Sequence, residues 1–211
     1  MQFDRARFPL LAAYLDGLPD GLASYPDCTA KAAMLPFVLK RRPFVGEAAA
    51  LPPRLAELLE RPPLPTQWIP ETEYLGLNLA IADQASLSAT QCQALWRQIV
   101  LDMTQSRLYS IILTLLRPAR MIRSASQRWN RFHRGTSLTV ADAGGHFVVR
   151  MEYPPHLLNR YLAESYTGVL QAIARSSATS ALDVTFVDAA PDHALWALRR
   201  GEPSWHPTTP R

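Results

Sequence analysis

Residues 136–199 read TSLTVADAGGHFVVRMEYPPHLLNRYLAESYTGVLQAIARSSATSALDVTFVDAAPDHALWALR, and the alternation within this segment indicates the fold class. Apolar and polar residues alternate over 138–141, over 147–153 and twice within 182–198, which is the period of a half-buried strand. Gly144-Gly145 separates the first two runs, and consecutive glycines readily take the positive φ angles of a tight turn. The pattern predicts two β-hairpins, one before and one after a helix.

The helix between the hairpins is predicted over residues 155–175. Its Leu158 and Leu162 belong to an apolar stripe, and Gly168 belongs to a second surface of small residues suited to close contact. An antiparallel sheet with one apolar face needs a covering layer, and residues 1–134 are predicted to be mostly helical. The predicted fold class is therefore α+β, with an N-terminal helical bundle packed on a four-stranded antiparallel ββαββ unit.

The N-terminal part has clear helix boundaries at some points. Residues 8–18 are predicted to form a short helix with Pro9 in its first turn, and Ser88-Ala89-Thr90-Gln91 matches a capping box at the start of a longer helix. Prolines between 62 and 70 predict a stiff, extended connection around Trp68. We interpret residues 1–200 as a single domain (1–134 mostly helical, 135–200 ββαββ) and residues 201–211 as a flexible tail.

Composition and cysteine usage indicate the cellular compartment. A chain of 211 residues suits one domain, and no apolar run approaches the ~20 residues that a membrane span needs. The N-terminus has no basic segment followed by an apolar one, so we expect no secretory signal. Cys28 and Cys92 are far apart without a CxxC partner, which favours buried thiols in a reducing compartment. We expect a cytoplasmic protein.

The sequence contains none of the motifs that we associate with catalysis. There is no GxSxG nucleophile elbow, no glycine-rich phosphate loop and no paired-carboxylate constellation. The five histidines show no metal-ligand spacing, and the cysteines supply no nearby pair. These histidines are His133, His146, His156, His193 and His206. We therefore predict no catalytic residue, no metal site and no enzymatic activity.

Arginines gather on a helix predicted over residues 118–134. Between Asp102 and Asp142 the chain has seven arginines and no acidic residue. Six of them fall within one arc of about 140° at helical spacing. This arginine ridge consists of Arg117, Arg120, Arg123, Arg128, Arg131 and Arg134. It is interpreted either as a docking surface for nucleic acid or an acidic protein, or as a solvated face paired with acids such as Glu71 and Glu73.

The order of elements resembles that of a ligand-binding superfamily. This superfamily contains the haem-nitric-oxide/oxygen sensor domains, the four-vinyl-reductase-type domains and small Golgi-tethering subunits. The run Trp68-Ile69-Pro70-Glu71, followed by Pro118 and by the run Trp129…Phe132-His133-Arg134-Gly135-Thr136, is similar to a family of uncharacterised paralogous proteins of myxobacteria. The resemblance implies a fold and brings no activity with it.

The resemblance also allows a comparison with the haem sensors, which hold the haem propionates with a Tyr-x-Ser-x-Arg signature at the end of the second strand. Tyr153 matches the tyrosine, whereas Pro155 and Leu157 replace the serine and the arginine. Without the hydroxyl and the guanidinium, the propionates lose charge-assisted partners. A proximal histidine is expected upstream on a helix, and His133 is the only candidate. We therefore expect no cofactor and disfavour haem.

Several aromatic residues are candidates for the wall of a ligand pocket, although the same residues also suit a filled core. The candidates are Trp96, Trp129, Tyr153, Tyr166 and Trp196. The leading hypothesis is a non-catalytic sensor or adaptor that binds an apolar small molecule or a protein partner, with a homodimer left open. The alternatives are an anion-binding module that uses the arginine ridge, and a haem-binding gas sensor.

Overall fold

The computed structural model describes residues 3–105, 125–177 and 182–200. The α-helices in these ranges are α1 (Pro9–Gly17), α2 (Leu35–Arg41), α3 (Pro53–Glu60), α4 (Glu71–Gln84), α5 (Ala89–Gln105), α6 (Ala125–Phe132) and α7 (Arg160–Ser177). The strands are β1 (Thr29–Lys31), β2 (Trp68–Pro70), β3 (His133–Arg134), β4 (Ser137–Asp142), β5 (His146–Glu152), β6 (Leu182–Ala190) and β7 (His193–Arg200). Helices and antiparallel strands are thus combined as the α+β prediction requires.

The helix starts follow from local sequence and from one long-range contact. Pro9 occupies the first turn of α1, and the Asp83 carboxylate at the end of α4 accepts hydrogen bonds from the backbone N–H groups of Leu10 and Leu11 at 3.0 Å each. At α5 the capping box is formed in both directions, because Ser88 N–H donates to Gln91 Oε1 at 2.9 Å and Gln91 N–H donates to Ser88 Oγ at 3.3 Å. Both predicted helix starts are confirmed.

A three-stranded sheet in the order β2-β1-β3 lies within the part that we predicted to be mostly helical. Thr29 is opposite both Pro70 and Arg134, and Ala30 is opposite both Ile69 and His133. Opposite residues in antiparallel strands share a face, so the sheet has two distinct sides. The inner face carries Ala30, Ile69 and His133, and the outer face carries Thr29, Lys31, Trp68, Pro70 and Arg134.

The helix predicted over residues 118–134 is too long at its C-terminal end. In the described structure α6 ends at Phe132, and His133 and Arg134 form β3 instead. Their backbone pairs with β1, and Gly135 then takes a φ of +73° against Cys28, where a Cβ atom would lie 2.5 Å from Sγ. Arg134 therefore leaves the helical ridge because pairing with β1 replaces the last helical turn. Pro118 lies outside the described residues.

The second sheet is four-stranded and antiparallel, in the order β4-β5-β7-β6, as predicted. Gly144 and Gly145 take φ angles of +74° and +105° in the first hairpin. The intervening helix α7 begins at Arg160 and not at residue 155, because Asn159 caps it: Asn159 Oδ1 accepts a hydrogen bond from Leu162 N–H at 2.9 Å. The predicted tail, 201–211, lies outside the described residues.

The buried core runs from α1 through α4 and α5 to α7 and the four-stranded sheet. Leu11, Leu77, Ile99, Met151 and Trp196 each expose less than 2 % of their surface. The N-terminal helices and the ββαββ unit therefore share one apolar interior. No helix in the described ranges combines the length and the apolar character needed to cross a bilayer.

Candidate functional site

A buried carboxylate–imidazole pair lies at the junction of α4 and the three-stranded sheet. Glu71 opens α4 directly after β2, and its backbone N–H donates to the Cys28 carbonyl at 2.9 Å. His133 reaches it from the inner face of β3, with Nδ1 3.0 Å from Oε2 and 3.2 Å from Oε1. The two side chains are 1 % and 12 % exposed. A carboxylate buried to this extent requires a polar partner, and His133 supplies it.

Aromatic rings lie beside this pair. The Trp129 ring of α6 stacks on the His133 ring with centroids 3.7 Å apart and planes 7° apart. The Trp129 indole N–H donates to Thr136 Oγ1 at 2.9 Å, which fixes the orientation of the ring. Tyr166 of α7 lies 6.4 Å from Trp129 in a tilted arrangement. Helices α4, α6 and α7 and strand β3 thus meet at one site.

The tyrosines around Glu71 remain neutral phenols over a wide pH range. Burial, followed by the nearby Glu71 carboxylate, raises the pKa values of Tyr14, Tyr74 and Tyr166. The Tyr14 hydroxyl is buried and has no hydrogen-bond partner within the described part of the chain. The site is therefore mostly apolar and contains a few polar atoms, which is the usual composition of a small-molecule site.

Cys28 is buried near Glu71, and its chemistry is that of an inert thiol. Burial, and then the charge of Glu71, raises the pKa of Cys28 to about 11. Its Sγ donates to the Gly135 carbonyl at 3.4 Å. A protonated thiol is neither a nucleophile nor a metal ligand. In residues 3–105, 125–177 and 182–200, no three His, Cys, Asp or Glu side chains are grouped to hold a metal ion.

The structure brings two of the five predicted pocket aromatics together. Trp129 and Tyr166 both belong to the site around the Glu71–His133 pair. Trp96 contacts Tyr74, one of the tyrosines around Glu71, with ring centroids 6.5 Å apart. That all five residues line one pocket stays a prediction.

Trp196 and Tyr153 have partners within the ββαββ unit. The Trp196 ring packs edge-on against Phe186 at 6.2 Å, and its N–H donates to Thr167 Oγ1 at 3.1 Å. The Tyr153 hydroxyl donates to the Ala190 carbonyl at 3.2 Å, and burial raises its pKa to about 12. Both side chains are therefore held in place by hydrogen bonds within the ββαββ unit.

Two cavities in the described structure are surface grooves. One, of about 350 Å³, lies beside α3 between Leu51 and Arg61. The other, of about 440 Å³, lies between α2 and α5 and is lined by Phe37, Arg41 and Asp102 among others. None of the five predicted aromatics lines either groove.

Sequence reasoning did not find Glu71, Tyr14 and Tyr74 as parts of a site. Glu71 and Glu73 were expected as partners of the arginine ridge, but Glu71 pairs with His133 and Glu73 with Arg54 at 2.5 Å. The available signal was Glu71 itself, an acid directly after Pro70 at the start of a helix that is buried almost throughout.

The arginine ridge is only partly visible. Arg117, Arg120 and Arg123 lie outside the described residues, and so does the side chain of Arg128. Arg131 is exposed on α6, whereas Arg134 lies on the outer face of the three-stranded sheet. These last two do not share a helix face, and the ridge as a functional surface stays a prediction.

No protein-family model and no curated protein matches the sequence. Solved structures do match. A structure used to study haem distortion in the H-NOX family has a TM-score of 0.56 at 9 % identity, covering 85 % of this chain and 100 % of that chain. An oxygen-binding H-NOX domain related to soluble guanylate cyclases gives the same values. An Fe(II) H-NOX protein variant from S. oneidensis has a TM-score of 0.57 at 13 % identity, covering 82 % and 96 %. At these identities the likeness shows the fold.

These structures correct the expectation of no cofactor with haem disfavoured. That expectation is wrong, because the fold is shared with solved haem domains. The comparison of Tyr153, Pro155 and Leu157 with a propionate clamp concerns only the propionates and leaves the iron ligand open. The narrower resemblance to myxobacterial proteins has no matching family model and stays a prediction.

The donor set around His133 has the chemistry of a ligand that would hold haem iron. Metal-binding histidines usually donate the N–H of the other ring nitrogen to a carboxylate, and His133 Nδ1 already contacts Glu71 in this way. Nε2 has no hydrogen-bond partner among the residues described. Leu157 is fully buried, and the Pro155 carbonyl accepts from the Tyr25 hydroxyl at 2.6 Å. The propionates of a bound haem would therefore need partners other than these residues.

Proposed function

We propose that this chain is a ligand-binding sensor domain in which His133, held by Glu71, binds the iron of a haem. One observation supports it above all: the imidazole contacts a buried carboxylate through Nδ1 at 3.0 Å and leaves Nε2 for a ligand. The fold shared with haem domains makes haem the first ligand to test. Bound haem would supply an iron atom that takes up a small gas molecule.

Glu71 and Trp129 have separate roles in this proposal. Glu71 accepts the Nδ1–H, which fixes the tautomer and the ring orientation of His133 and raises the basicity of Nε2. Trp129 covers one face of the imidazole and is itself anchored to Thr136. Because the Trp129 ring lies against the imidazole, a ligand that binds to His133 changes the surroundings of this ring. We therefore expect ligand binding to change tryptophan fluorescence.

The neutral tyrosines keep charge and water away from the pair. Tyr14, Tyr74 and Tyr166 supply phenol rings from three helices, and their raised pKa values keep them uncharged. In such a low-dielectric environment the bond between Glu71 and His133 is stronger than in water. The prediction of a non-catalytic domain agrees with the structural neighbours, one of which is described as oxygen-binding.

Absorption spectroscopy and native mass spectrometry of the whole chain test the proposal. The protein is expressed with a haem precursor or reconstituted with haemin, and we expect one haem per chain with a Soret band. His133→Gly should lose the band, and added imidazole should restore it. The matched control is His146→Gly, which removes a histidine from β5 and should leave the spectrum unchanged.

Glu71→Gln separates a positioning role from a structural one. We expect the variant to bind haem but to show a higher iron reduction potential, because a neutral amide donates less electron density to the ring than a carboxylate does. Circular dichroism checks that each variant is folded. Absence of haem from folded, reconstituted protein would overturn the proposal. A Soret band that is unchanged in His133→Gly would overturn it as well.

A further inference from the structure

The outer face of the three-stranded sheet holds two cations against one indole. The Arg134 guanidinium carbon lies 4.0 Å from the Trp68 ring centroid, and Lys31 Nζ lies 5.3 Å from it. Lys31 and Trp68 are opposite each other on β1 and β2, and Arg134 is opposite Thr29. We call this set of Lys31, Trp68 and Arg134 the Trp68 face.

The two cations of the Trp68 face have no acidic partner among the described residues. Within the described ranges, no carboxylate lies at ion-pair distance from Lys31 or Arg134, whereas Arg41, Arg54 and Arg160 each have one. The sequence around Arg134 adds to this excess, because there is no acidic residue between Asp102 and Asp142. In the part of the chain that the structure describes, the Thr29 hydroxyl oxygen, opposite Arg134, is buried without a hydrogen-bond partner. The face therefore has unused capacity for an anion.

Stacking on Trp68 organises these cations in advance. A guanidinium that lies over an aromatic ring keeps the N–H groups at its edge available for a bidentate contact. Side chains that are already ordered lose less entropy on binding than free ones. An incoming carboxylate would thus meet a fixed fork at Arg134 with a second positive charge from Lys31 nearby.

We propose that the Trp68 face docks an acidic segment of a partner protein, with a carboxylate held by Arg134 and Lys31. A carboxylate matches the planar fork of arginine. Nucleic acid fits less well, because single-stranded binding uses open aromatic platforms and Trp68 is already covered by its two cations. His133 lies on the opposite face of the sheet, so this proposal does not depend on haem.

Fluorescence anisotropy with a dye-labelled peptide of alternating glutamate and serine tests the docking proposal on the full chain. We expect binding that weakens with added salt. The double variant Lys31→Gln/Arg134→Gln should weaken binding by about tenfold or more, since two charge-assisted contacts are lost. The matched control Arg61→Gln/Arg175→Gln removes the same total charge from two exposed arginines. Measured at the same salt concentration as the double variant, it should change the affinity for the peptide by less than about twofold.

A third variant addresses geometry. Arg134→Lys keeps the positive charge but loses the planar guanidinium. We therefore expect its affinity for the peptide to lie between the affinities of the wild type and of the double variant. Equal weakening by the Trp68-face pair and by the control pair would overturn the proposal, because net charge alone would then explain binding. It would also be overturned if a single-stranded oligonucleotide or an anionic phospholipid vesicle bound through these residues while the peptide did not. Circular dichroism confirms that each variant is folded.

Discussion

Gly168 of α7 lies so close to the backbone of Gln93 in α5 that a Cβ atom at position 168 would be 1.9 Å from the Gln93 carbonyl oxygen. The same Cβ would lie 3.0 Å from the backbone nitrogen of Arg97. Both neighbours are main-chain atoms inside a helix, so they cannot move aside as a flexible side chain can. The packing of the ββαββ unit on the N-terminal helices therefore depends on glycine at this point.

Gly168→Ala should destabilise the protein by about 3 kcal/mol, since one added methyl group has to separate two packed helices. Urea unfolding followed by circular dichroism measures the change. Gly17→Ala is the matched control, because no atom lies within 4 Å of a Cβ at position 17. We expect the control to change the free energy of unfolding by less than about 0.5 kcal/mol. Similar losses in the two variants would contradict the close helix contact.

The Tyr14 hydroxyl and the Tyr161 hydroxyl give opposite expectations for the same substitution. Tyr14 is 2 % exposed, and its hydroxyl lacks a hydrogen-bond partner in the described structure, whereas the Tyr161 hydroxyl donates to the Leu87 carbonyl at 2.9 Å. Tyr14→Phe removes an unsatisfied buried group and should leave stability unchanged or raise it by about 1 kcal/mol. Tyr161→Phe should lower it by about 1 kcal/mol. Thermal unfolding of both variants measures the difference, and a loss in Tyr14→Phe as large as in Tyr161→Phe would show that Tyr14 has a partner.

The ββαββ unit was accessible to sequence analysis because its strands are long enough to show alternation. Strand β5 runs over seven residues, and β7 over eight. The three-stranded sheet was missed because β1 and β2 have three residues each and β3 has two. Segments this short show no period, and pairing between distant parts of the chain creates them.

The Glu71–His133 pair could not be derived for a related reason. Its members are 62 residues apart, and only the sheet order β2-β1-β3 brings them together. In the sequence, His133 is the only candidate for a proximal histidine and lies near the end of the helix predicted over residues 118–134, a pattern that defines no partner for its ring. The pairing of His133 with Ala30 on β1 turns that ring inward, and no local pattern encodes this contact.

The free energy of unfolding should decrease at alkaline pH, because the buried Cys28 thiol and the Tyr153 phenol lose their protons less readily in the folded chain. Folding raises the pKa of Cys28 from 9.0 to about 11, and that of Tyr153 from 10.0 to about 12. At a pH between the unfolded and the folded pKa of each group, the unfolded chain loses a proton that the folded chain keeps. Deprotonation therefore favours unfolding. The free energy of unfolding should therefore be insensitive to these groups below about pH 9 and decrease above it.

Urea unfolding at a series of pH values measures this alkaline decrease. Cys28→Ala removes one of the contributing groups, so the decrease between about pH 9 and pH 11 should be shallower than in the wild type. The comparison uses the slope against pH and not the absolute stability, because the substitution also alters packing. A slope that is unchanged in Cys28→Ala would show that the thiol has the same pKa in the folded and unfolded chains.

Asp83 joins the end of α4 to the start of α1, and its loss should destabilise the protein by about 2 kcal/mol. Its two carboxylate oxygens accept from Leu10 N–H and Leu11 N–H, which belong to the first turn of α1 and have no acceptor within the helix. Asp83→Ala leaves both donors unsatisfied in a partly buried position. Asp83→Asn keeps one acceptor and should lose about half as much.

Asp16→Ala is the control for the Asp83 variants, since Asp16 is an exposed partner of Arg5 at the other end of the same helix. Exposed ion pairs contribute little, so we expect a loss below about 1 kcal/mol. Hydrogen exchange adds a local readout, because the amides of Leu10 and Leu11 should exchange faster in Asp83→Ala and keep their protection in Asp16→Ala. If those two amides stayed protected without the Asp83 carboxylate, another acceptor would have to cap α1, and the link between α1 and α4 would be one of packing alone.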